Sequence, residues 1–115
     1  MKTSRMEQLP AFFLGDLSLQ PFSGENLMVA RVVAPAGSVA PRHSHPHEQM
    51  CLVLSGRIRC SIGPEQQEIE PGAIIHFPSN VEHEVQFLEP TVMFDIFHPV
   101  REDFLKKLEE ARQEA

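Results

Sequence analysis

The stretch Gly37-Ser38-Val39-Ala40-Pro41-Arg42-His43-Ser44-His45-Pro46-His47-Glu48-Gln49-Met50-Cys51-Leu52-Val53-Leu54-Ser55-Gly56 decides how this chain is read. At its centre, His43 and His45 place two imidazoles two residues apart, and side chains so spaced share one face of a strand. Pro46 interrupts that strand, and Gln49 opens the apolar run 50–54. A third histidine, His83, comes much later, behind the turn-rich Pro78-Ser79-Asn80. Three histidines and one oxygen donor, brought from different strands to one point, make a divalent-metal site with positions left for substrate.

Outward from this centre the chain reads as short strands. Residues 27–34 form one, ended by Pro35-Ala36-Gly37, and the N-terminal apolar segment 10–22 reads as strand more than helix. Ser55-Gly56 fits a tight hairpin joining 50–54 to 57–62. A two-residue loop there sets Cys51 opposite Cys60, as free thiols packed like small hydrophobes. Pairs of breakers at Gly63-Pro64 and Pro71-Gly72 set off the stretches 68–70, 73–77, 83–88 and 91–97. Short strands at such spacing indicate an all-β sandwich or barrel. Only the tail differs: Phe104, Leu105, Leu108 and Ala111 have helical spacing over about 101–113, with acids early and bases late.

The chain has 115 residues and a formal net charge of −6. That length makes one domain, 1–115, and the acidic balance argues against a nucleic-acid surface. No stretch is long and apolar enough to span a membrane, the polar residues 1–8 lack a signal-like apolar region, and a cytoplasmic protein is expected. Two cysteines make no disulfide framework. Both faces of 50–54 and 92–97 are apolar, so a second copy of the chain is expected to cover the outer face, giving a homodimer.

Asp95 interrupts the apolar run Val92-Met93-Phe94. A buried carboxylate must face water, a cation or a cavity, and alternation sets Asp95 on the side of Met93 and Phe97. The alternative is a simple ion pair with Arg101.

The spacing of Gly37, His43, His45, Gln49 and Gly56, followed by Gly72, Pro78 and His83, resembles both motifs of the cupin superfamily, over roughly residues 27–104. The resemblance implies a jelly-roll β-barrel at about 27–98, a short C-terminal helix, and one divalent ion held by His43, His45, Gln49 and His83. Glu48 is the alternative oxygen donor. His47 is expected to face solvent or to support the ligands, and His76 and His98 are expected to be structural. A neutral Gln in place of Glu leaves the cation its full charge, which favours an anionic substrate and Lewis-acid work over redox chemistry.

The run from His43-Ser44-His45-Pro46-His47-Glu48-Gln49 to Asp95, Phe97, Arg101, Glu102, Asp103 and Phe104 resembles the small cupins called pectin degradation proteins, the KdgF type. That family linearises 4,5-unsaturated uronate monosaccharides to the open keto form. The resemblance implies catalytic roles for Asp95 and Arg101, substrate contacts for Phe97 and Arg101, and a small anionic sugar as substrate. His98-Pro99-Val100 stands where Ser-Pro-Pro is common in the family, and Asn80 where Gly is common. Two further readings are a non-catalytic cupin that binds a sugar acid and a metal-dependent dioxygenase.

Overall fold

A computed structural model describes residues 1–114. After a short 3-10 turn at Met6–Gln8, strands form where apolar residues alternate and end at proline, glycine or charge. In chain order they are β1 (Phe12–Leu14), β2 (Leu17–Ser23), β3 (Met28–Ala34), β4 (Val39–His43) and β5 (Glu48–Ser55). Then come β6 (Ile58–Ile62), β7 (Glu65–Ile69), β8 (Ile74–Phe77), β9 (His83–Phe87) and β10 (Thr91–His98), followed by the helix α1 (Glu102–Glu114).

The strands make a six-stranded sheet, β1-β2-β3-β10-β5-β8, and a four-stranded sheet, β4-β9-β6-β7. Their inner faces share one core. Met28, Ala30, Val32, Met93, Phe97, Cys51 and Val53 come from the first sheet, and Ile58, Cys60, Val85 and Phe87 from the second. On β3 every second residue is buried, the period that a one-sided strand dictates.

The expected closed jelly-roll barrel is corrected here. Neither sheet closes, and β1, β8, β4 and β7 remain as edges. Between β1 and β4 the edges stand apart around a cavity lined by Leu14 and Gly15 on one side and Val39 and Pro41 on the other. Phe104 and Lys107 of α1 line the same cavity. The C-terminal helix itself is present, with Phe104 buried against Phe12 at 5.3 Å between ring centroids.

The expected hairpin is also corrected. β5 and β6 lie in different sheets, because β10 and β8 already occupy both edges of β5. Cys51 therefore stands opposite Asp95 and Ile75, and Cys60 opposite Gln67 and Val85. Both thiols are free and buried, Cys60 pushed up to about 11 chiefly by burial, so they behave as packing groups. Gly56 makes the crossing possible. Its φ is +90°, and a Cβ there would collide with the Pro90 carbonyl oxygen and with Thr91.

Candidate metal centre

β4 ends at His43, which stands directly opposite His83 at the start of β9. A register shift between Ala40 and His43 loosens this edge, and His45 sits beyond the strand in the loop before β5. The expectation that His43 and His45 share one strand face is thus corrected: a loop, not strand alternation, turns His45 inward. The ring nitrogens of His43, His45 and His83 offer ligand atoms all within 4.8 Å of one another. His45 and His83 are buried and His43 is exposed.

The backbone fixes the three rings. Nδ1 of His43 lies 2.8 Å from the Pro41 carbonyl, Nδ1 of His45 3.0 Å from that of His47, and Nδ1 of His83 3.2 Å from that of Val81. A carbonyl can only accept, so each Nδ1 carries the proton and each neutral ring keeps its Nε2 lone pair for a cation. Burial holds the His83 ring neutral, down to about 4, and burial with the Arg101 charge lowers His45 as well. Neutral imidazoles are the form that binds metal.

Gln49 is buried on β5, and its Oε1 lies 3.0 Å from Nε2 of His45. With the proton of His45 on Nδ1, two lone-pair atoms face each other, a contact that a cation held between them would relieve. Gln49 also acts on Asp95, drawing its carboxyl pKa down against the effect of burial. Glu48 points the other way, 2.7 Å from Nε2 of exposed His76, and His98 is exposed. The three histidines form a cluster that fits one divalent ion.

Behind them is a cavity of about 580 Å³, lined by His43, His83, Gln49, Asp95, Phe97 and Arg101 among others. Asp95 is buried on β10 with Oδ1 lacking any partner. Desolvation raises its carboxyl to about 6, although Cys51, Gln49 and Arg101 pull the other way. Arg101, just before α1, does not pair with Asp95. Its Nε and Nη2 grip Asp103 at 2.9 and 2.7 Å, and its guanidinium lies 5.0 Å from the Phe97 ring and 4.0 Å from that of Phe104. The fork uses Nε and Nη2 and leaves Nη1 out of the pair, and both residues line the cavity.

Sequence reasoning gave Asp103 no role, although its Arg-x-Asp spacing at a helix start is the signal for such a fork. His47 supports His45 through its carbonyl, while its own Nδ1 is buried without a partner.

Two facing open sheets with a three-histidine centre at one end define the class of this molecule. The chain belongs to the cupin domain family, whose model matches residues 30–97. An uncharacterized protein of Streptomyces coelicolor is 25% identical over 105 residues, covering 90% of this chain and 89% of its own. An RmlC-like cupin from Shewanella frigidimarina superposes with a TM-score of 0.83 at 25% identity, over 88% of this chain and 93% of that one. KdgF from Halomonas sp. does so with a TM-score of 0.79 at 24% identity, over 84% and 94%. At that identity the KdgF likeness speaks for the fold alone. Among the described residues no helix is long and apolar enough to cross a membrane.

Proposed function

We propose that this chain is a metal-dependent enzyme that opens the ring of 4,5-unsaturated uronates, giving the linear keto acid. The observation that carries the reading is Asp95: a buried carboxyl with an unpartnered oxygen, raised to about 6, beside the three-histidine centre. A group near 6 can both take and return a proton at neutral pH.

His43, His45, Gln49 and His83 would hold the ion. When bound, it supplies positive charge that favours a carboxylate and the negative charge developing as a hemiacetal opens. Asp95 takes the proton of the anomeric hydroxyl as the bond from the anomeric carbon to the ring oxygen breaks. The electron pair passes to the ring oxygen and onward to the enol carbon. Asp95 then returns the proton to that carbon, leaving an aldehyde and a ketone with no atom gained or lost. Arg101, held by Asp103, meets the substrate carboxylate with its remaining N–H groups, and Phe97 packs the sugar face.

The same reading makes the chain a single cupin domain working in the cytoplasm as a homodimer. The test is to incubate metal-loaded protein with an unsaturated uronate and identify the product by NMR. Appearance of the linear keto acid supports the reading, and an unchanged cyclic substrate ends it. A second reading, a binding module without turnover, is favoured by the largely apolar inner wall of the cavity.

A further inference from the structure

The cavity runs deeper than the polar groups that crown it. Past Asp95 its wall is Leu17, Leu19, Val32, Val85, Phe87 and Met93, contributed by both sheets. Strand register places this wall. Asp95 pairs with Ala30, and one inward step along, Met93 pairs with Val32, which pairs with Leu19. In the facing sheet, Val85 and Phe87 follow His83 on the inward side of β9. Of the charged lining groups, Arg101 is gripped by Asp103 beside Phe97, Asp95 is two residues from Phe97 on β10, and Lys107 is exposed on α1. Buried Gln20 is committed elsewhere, to the Leu9 carbonyl and Arg31. A hydroxyl placed against the deep wall would find no side-chain partner there, whereas hydrocarbon gains by leaving water.

We propose that the deep half of the cavity is a subsite for the apolar part of an amphipathic carboxylate, whose acid group sits at the histidine and Arg101 end. This goes beyond the ring-opening reading and rests on the cavity wall alone. A sugar acid engages the polar crown and leaves the deep half unfilled. A carboxylate bearing a hydrocarbon chain or apolar ring uses both, with its charge near Arg101 and its carbon against Val32, Met93 and Phe87. The volume, about 580 Å³, lies within the usual range of small-molecule sites.

The experiment is calorimetric titration of the zinc-loaded protein with straight-chain carboxylates from acetate to decanoate. Affinity should rise about three- to fourfold per methylene until the cavity is full, and then level off. The heat-capacity change should become more negative along the same series. Val32→Phe, which fills the wall, should keep zinc content and acetate affinity but flatten the rise. The series on the unaltered protein decides the matter even if that variant does not fold. An affinity that does not change from acetate to decanoate overturns the proposal, as does a rise that persists undiminished in folded Val32→Phe. A rising series without uronate turnover keeps this subsite and rejects the ring-opening reading, and turnover with a flat series does the reverse.

Discussion

Asp95 and Cys51 face each other as Cα partners across β10 and β5, which seats a carboxylate in the interior beside a thiol. Burial there raises the Asp95 carboxyl from 3.8 to about 6, and burial lowers His83 from 6.5 to about 4. In metal-free protein the two oppose each other. Between pH 4 and 6 the native state keeps the Asp95 proton that the unfolded chain has released, so stability falls as pH rises. Between pH 4 and 6.5 the unfolded chain binds a proton that native His83 does not, so stability rises with pH, and His45 acts in the same direction. Metal-free wild type should therefore change little across this window. Asp95→Asn removes the falling component, so its urea-unfolding stability should climb more steeply and exceed wild type at pH 7 by roughly 2–3 kcal/mol. Equal slopes would place the Asp95 carboxyl in an ordinary environment.

The fork between Arg101 and Asp103 gives a second prediction. Asp103→Ala frees the guanidinium from its bidentate hold while leaving its stacking on Phe97 and Phe104. KM for an anionic substrate should rise about tenfold, the worth of a charge-assisted hydrogen bond, with kcat changed less. Arg101→Lys should not restore binding, because an ammonium has no planar fork. A loss in kcat alone would move Arg101 from holding substrate to the reacting atoms.

On the outer face of the larger sheet, Met50, Leu54, Ile74 and Ile96 are 46, 45, 69 and 38% exposed on the adjacent strands β10, β5 and β8. So much adjoining apolar surface calls for a cover, and a second copy of the chain is the expected one. Light scattering at micromolar concentration should give a dimer, and Ile74→Glu with Met50→Glu should give a monomer that still binds metal. A wild-type monomer would reject this.

Gly56 carries the crossing from one sheet to the other. Gly56→Ala adds a Cβ at φ +90° and against the backbone of Pro90 and Thr91. Thermal or urea unfolding should register a loss of at least about 2 kcal/mol. Gly72→Ala shares the strained φ of +92° but meets nothing within 4 Å, and should cost less. Equal losses would mean that the close approach contributes nothing.

Most strands were legible because β3, β5 and β10 alternate or run apolar between proline and glycine, and burial enforces that period. The three-histidine cluster was legible because His-x-His and His83 stand at motif spacing. What the local pattern could not supply was which strands pair. Ser55-Gly56 has the composition of a hairpin turn, yet β5 takes both its neighbours from far along the chain. The sequence pattern shows β7 only at 68–70, because Glu65, Gln66 and Gln67 are polar on both faces of an edge strand. That neither sheet closes is likewise a matter of which strands pair, which no strand period encodes.

The central claim is that Asp95 moves the proton while the histidines hold the ion. The direct measurement is the loss of conjugated ultraviolet absorbance when protein loaded with a divalent metal meets unsaturated galacturonate. Wild type should abolish the absorbance. Asp95→Asn should fold and keep its metal but act about 10²–10⁴ times more slowly. His45→Ala should lose both metal and activity. Absorbance that stays constant with metal-loaded wild type, or Asp95→Asn that turns over at the full rate, would contradict the account.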